Sequence, residues 1–174
     1  MGSLKELTSS ELLRMANHEF LNQLHLIKMN LDLERIDEAK AIIEQYVNKS
    51  KAYSSLNRLS LPKTTEWIRI FPYRYSAIEL KLKTNIIVAQ NMQKDDEIVE
   101  YLEKTIQHVY GHLNPYKEQQ LSLDVNSSED GLTICFDLQG EWEIEPIQLQ
   151  NFEINVQTYE ETNQSWKYVL TVKE

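Results

Sequence analysis

The chain has 174 residues, 41% of them hydrophobic, a formal charge of −9 and an isoelectric point near 5.0. That acid excess argues against a nucleic-acid partner, whose phosphates require a concentrated basic face. The length suits one domain or two small ones, each with a core of its own. The single cysteine, Cys135, rules out a disulfide framework and points to a reducing cytoplasm, and the bland reading makes it a buried small residue. No apolar run approaches the ~20 residues of a membrane span, and the N-terminus lacks a signal-peptide core.

In chain order, residues 4–8 lead into the first helix, which Thr8, Ser9 or Ser10 can cap. Ser9 or Ser10 is the preferred cap, because Glu11 then falls in the first turn. Residues 11–33, ELLRMANHEFLNQLHLIKMNLDL, contain neither glycine nor proline. Their apolar stripe, Leu13, Ala16, Phe20, Leu24, Ile27 and Leu31, has the narrow spacing of a bundle seam. A short break over residues 32–36 precedes a second helix, with Asp37 as a fair cap. It repeats Ile36, Ala39, Ile43, Tyr46, Ser50 and Tyr53 at the same spacing. Two such helices with a short connection form an antiparallel hairpin. One hairpin cannot cover two apolar stripes, so two chains are expected to pair as a four-helix bundle, a homodimer.

Leu61-Pro62 ends the hairpin. Residues 65–75 read as either a short helix or a strand, broken in both cases by Pro72. Residues 77–83 alternate as a half-buried strand, and residues 95–113 return to helical period through Ile98, Leu102, Ile106 and Val109. Four further strands are expected over residues 120–125, 132–138, 152–156 and 166–172, the first two joined by a turn-rich loop at 126–131. The fold expectation is α+β: a helical hairpin domain (1–61) for dimerisation, then a small α/β domain (62–174) whose antiparallel sheet is backed by at least one helix.

The second domain offers little chemistry. Its glycines form no GxGxxG or GxxxxGK[ST] cradle. Asp137 and the acidic residues at 141–145 suit a solvated edge. His108 and His112 lie at i, i+4 and could form half a metal site, but no third ligand is in view, so they read as an exposed helix C-terminus. His18 remains. At about 100° per residue it falls opposite the first apolar stripe, on the side shared by Glu11, Arg14, Asn22, His25 and Met29. Glu19 follows it directly and can orient the imidazole. Asn22 lies one turn on and can bond a phosphoryl oxygen or water. Arg14 and Lys28 supply cations for an acidic partner.

The run His18–Leu31, HEFLNQLHLIKMNL, resembles the phosphoacceptor helix of the sporulation initiation phosphotransferase family, a pattern shared with the dimerisation helix of citrate/dicarboxylate-type sensor kinases. In layout the resemblance covers the whole chain, and in sequence mainly residues 14–45. It implies a second domain like a degenerate histidine-kinase ATP-binding domain. It also implies that His18 carries a phosphoryl group between the aspartates of two response regulators, with Glu19 and Asn22 as its catalytic neighbours. Arg14, Met15, Glu11, His25, Lys28 and Met29 would then meet the receiver domains. Residues 95–113 hold no asparagine, and Glu129-Asp130-Gly131 departs from DxGxG, so no ATP is expected. This chain would bind no cofactor, and Mg²⁺ would sit on the response regulator. Two rival readings remain: a kinase-like module that docks on regulators or kinases without being phosphorylated, and an autophosphorylating kinase core, which would bind nucleotide.

Overall fold

A computed structural model describes residues 7–90, 92–145, 147 and 149–173. The lead-in at residues 4–6 falls outside them. The chain forms two compact units, residues 1–51 and 52–174. Among the described residues no helix is long and apolar enough to cross a membrane.

In the first unit, helix α1 (Ser9–Asp32) starts from Thr8, not from Ser9 or Ser10. Only Thr8 stands three residues before Glu11, the spacing of a reciprocal capping box. The Thr8 hydroxyl accepts from the Glu11 amide at 3.2 Å, and the Glu11 carboxylate accepts from the Thr8 amide at 2.9 Å. The reversal passes through Glu34, whose φ of 57° is left-handed. It is pinned by buried Asn30, whose carbonyl accepts from the Arg35 amide at 2.8 Å and whose side-chain amide donates to Leu26 at 2.9 Å. Helix α2 (Ile36–Ser55) then runs back, its first turn carrying Asp37 and Glu38. Phe20 meets Tyr46 at a ring distance of 6.2 Å. Between residues 7 and 51 only Asn30 and Ala39 are buried. Leu13 is 66% exposed, and Phe20, Leu24, Leu31, Ile43 and Val47 all exceed 40%.

The second unit is an α+β layer pair. Helix α3 (Pro62–Arg74) resolves the ambiguity at residues 65–75 as helix. Pro62 occupies the first helical position, where its missing N–H costs nothing. Pro72 does not break the helix, because it lies in the last turn and forfeits a single intrahelical bond. The Tyr75 amide closes the end on the Phe71 carbonyl at 2.8 Å. Strand β1 (Glu79–Ile86) is followed by α4 (Asp95–Tyr110), β2 (Gln120–Ser128), β3 (Gly131–Gln139), β4 (Asn155–Glu161) and β5 (Ser165–Val172).

The five strands form one sheet in the order β1-β2-β3-β5-β4. It is mixed, not the antiparallel sheet expected from sequence: β1 runs parallel to β2. Helix α4 carries the chain back across the sheet between them, the connection a parallel pair demands. Strands β2 and β3 meet in a tight hairpin at Glu129-Asp130 and pair antiparallel from Gln120↔Gln139 to Ser128↔Gly131. Gly131, at φ 121°, takes a position where a Cβ would lie 2.1 Å from the Val172 carbonyl oxygen. Strand β4 begins three residues beyond the expected 152–156, since Phe152 and Ile154 serve α4 rather than the ladder: Phe152 lies edge-on to Tyr101 at 5.0 Å, and Ile154 is buried.

Strand alternation puts Leu121, Leu123, Val125, Ile134, Phe136, Leu138, Tyr168 and Leu170 on one buried face. Against it pack Ile98, Leu102, Ile106 and Val109 of α4, and Phe136 stacks on Tyr168 at 4.5 Å. The opposite face presents Ser122, Asp124, Thr133, Asp137 and Lys167, with Lys167 paired to Asp137 at 3.2 Å. Cys135 belongs to this open face and is half-buried, not a core residue. Its place in the alternation, beside Asp124, decides that.

Candidate functional site

The outward side of α1 carries the sequence-predicted residues along one strip. His18 is exposed, with Asn22 exposed one turn on and Arg14 exposed one turn before it. His25, Lys28 and Met29 continue the exposed strip, and Met15 is half-buried at its edge. The strip is straight because residues 9–32 form an unbroken helix without glycine or proline, fixed at its start by the capping box. A histidine on such a surface presents its ring nitrogens to an incoming group without any backbone rearrangement.

Two members of the strip have other partners in the hairpin. Glu11 is committed to the cap of α1. Lys28 pairs with Asp32 at 2.6 Å one turn on, with side chains 73% and 62% exposed, so the pair is weak and easily exchanged for another anion. Glu19 is half-buried, and its carboxylate accepts from the ammonium of Lys49 on α2. Lys49 is the residue that local spacing misses, because it lies 30 positions from Glu19. An antiparallel register would have found it: Glu19 and Lys49 stand equally far along the chain from Glu34, at the centre of the reversal.

The α/β unit has a different character. A cleft of about 380 Å³ lies between α4 and residues 150–153, lined by Glu97, Glu100, Lys104 and Phe152 among others. Its charges satisfy one another. The Glu97 carboxylate accepts from the amides of Ile154, at 2.9 Å, and Glu153, and pairs with Lys94 at 3.1 Å. Desolvation works to raise the Glu97 pKa, but those backbone amides and Lys94 outweigh it and hold the carboxyl below its ordinary value. Lys104 pairs with Glu100 at 2.6 Å and lies 5.2 Å from the centre of the Phe152 ring.

His108 places a ring nitrogen 2.8 Å from the Glu145 carbonyl and meets Trp166 edge-on, while His112 is exposed. Among the described residues no group of three or more His, Cys, Asp or Glu side chains is placed to hold a metal ion. Burial, and then Asp124, push the Cys135 thiol up against the opposing pull of Lys167.

Residues 3–59 match a family model, the alpha-helical domain of the SpoOB-type sensor kinase. The match covers the hairpin and the strip just described. No curated protein matches the sequence. Among solved structures, the blue-light activated histidine kinase EL346 of Erythrobacter litoralis aligns at 11% identity and a TM-score of 0.47, over 99% of this chain and 62% of that one. This chain therefore spans less than two thirds of that kinase. The histidine kinase AdeS of Acinetobacter baumannii aligns at 10% identity and 0.41, over 90% of this chain and 97% of its own. A bacterial phosphotransferase aligns at 10% identity and 0.41, over 97% and 100%.

Proposed function

We propose that this chain, whose N-terminal hairpin matches the SpoOB-type helical domain, is the histidine phosphotransferase of a phosphorelay. His18 takes the phosphoryl group from the aspartyl phosphate of one response regulator and delivers it to an aspartate of a second. The observation that carries the reading is the exposed His18 on an unbroken helix, with Asn22 and Arg14 exposed one turn to either side.

The step needs few groups. An unprotonated imidazole nitrogen attacks phosphorus in line. The P–O bond to the donor aspartate breaks, the P–N bond forms, and the carboxylate leaves with the electron pair while the second ring nitrogen keeps its proton. Both phosphorylated species are high-energy, so the exchange is close to balanced and runs onward to the second aspartate by the same path reversed. Such transfer is governed by positioning and charge neutralisation. This chain supplies an unhindered nitrogen, Asn22 for a phosphoryl oxygen, and Arg14, Met15, His25, Lys28 and Met29 for the receiver's surface. Mg²⁺ belongs to the receiver, and this chain works without ATP or another bound cofactor.

The exposed Leu13, Phe20, Leu24, Leu31, Ile43 and Val47 support a homodimer in which two hairpins close a four-helix bundle, leaving both His18 side chains outside.

The test is His18→Ala. Alanine is a better helix former than histidine, so an exposed site in mid-helix loses nothing in stability. The variant is expected to take no label from a phosphorylated receiver domain, while wild type acquires acid-labile, base-stable phosphate. Retained labelling in the variant would overturn the proposal. A wild type that binds receivers yet takes no label is instead a docking module.

A further inference from the structure

We propose that Lys49 is a positioning residue for phosphoryl acceptance: it cancels the charge of Glu19, and so lets a phosphoryl anion approach the adjacent imidazole. The inference rests on His18 being the acceptor and goes on to what surrounds it.

Glu19 is joined to His18 by one peptide bond, and its carboxylate is held by the Lys49 ammonium from the neighbouring helix. The side chains of Lys49 and Glu19 keep 42% and 35% of their surface exposed, so the pair sits at the water boundary, not inside the hairpin. Pairs that exposed contribute little to stability. The hairpin is already held by the Phe20–Tyr46 contact, by Ala39 and by the Asn30 turn. Holding two helices together therefore does not account for this pair.

Its charge does. A phosphoryl group arriving at His18 brings one to two negative charges within several ångströms of the Glu19 carboxylate. An uncompensated carboxylate there would oppose arrival and hasten departure. One unit charge at about 6 Å, in the high effective dielectric of a protein surface, corresponds to roughly a three- to tenfold change in rate. The local sequence around His18 contains the repelling charge. A compensating one comes from α2, brought level by the antiparallel register.

The test uses phosphoramidate on the full-length chain. This small anionic donor phosphorylates histidine directly, releasing ammonia as the new P–N bond forms, and has no docking surface of its own. His25, exposed seven residues along the same helix, is the internal reference, and the ratio of labelling at His18 to His25 is read by mass spectrometry. Lys49→Met is expected to lower that ratio three- to tenfold at low salt. The deficit should shrink at about 0.5 M salt, where screening acts over roughly 4–5 Å. Lys49→Arg should restore the ratio, and Glu19→Gln/Lys49→Met should return it to the value of Glu19→Gln alone.

A ratio unchanged in Lys49→Met overturns the proposal. So does a double variant that stays as slow as Lys49→Met, since Lys49 would then act without Glu19. Failure of the relay reading looks different: wild-type His18 accepts from phosphoramidate but neither takes from nor gives to receiver domains.

Discussion

Replacing Asp95 with alanine should destabilise the α/β unit selectively, because this carboxylate caps a helix 31 residues away in sequence. Helix α3 begins at Pro62 after Leu61, which has no side chain able to cap it. The orphan amides of Lys63 and Thr64 are taken by Asp95 at 2.8 Å each, and the Thr64 hydroxyl donates to the same carboxylate at 2.7 Å. Asp95 is 3% exposed, so water cannot substitute. Hydrogen bonds to a charged acceptor are worth about 1.5–3 kcal/mol each, against several kcal/mol for desolvating the carboxylate. The net loss expected is about 3 kcal/mol, or roughly 10 °C in melting temperature for a unit of this size. All three tryptophans, Trp67, Trp142 and Trp166, lie in this unit, so their fluorescence during urea or thermal unfolding reports on it alone. Thr64→Val should lose less by itself and show strong coupling to Asp95→Ala in a double-mutant cycle. A loss below about 1 kcal/mol for Asp95→Ala, with no coupling, would refute the capping argument.

Two further outcomes are expected. Burial raises the phenols of Tyr75, Tyr101 and Tyr168, with Glu103 adding to the effect at Tyr75 and Glu161 at Tyr101, and Thr105 opposing it at Tyr168. The folded chain thus holds these protons above the pH near 10 where unfolded tyrosines release them. Stability should be intact below about pH 10 and fall above it by about 1.4 kcal/mol per pH unit for each phenol still protonated, and tyrosinate absorbance that rises fully near pH 10 with no unfolding would contradict this. Leu24→Glu places a charge in the exposed apolar stripe of α1 and should leave a monomer by light scattering with its helix content kept, whereas a wild type that is itself monomeric at micromolar concentration would remove the bundle.

The sequence by itself determined the local pieces. A proline- and glycine-free stretch with apolar steps of three and four reads as an amphipathic helix, and α1 runs unbroken from Ser9 to Asp32. The same holds for the alternation of β2 and β3 and the period of α4. What sequence could not settle was decided by partners distant in the chain. Residues 65–75 are helical because Asp95 caps their start and the apolar side of Trp67, Ile68 and Phe71 has a core to enter. The sheet is mixed because α4 returns the chain to the same end of the neighbouring strand. Cys135 fell on the open face because strand parity, not hydrophobicity, assigned it there. Periodicity is a property of a single element and can be read from it. A cap, a crossover or the cation beside Glu19 belongs to two elements at once and exists only after the chain has folded back on itself.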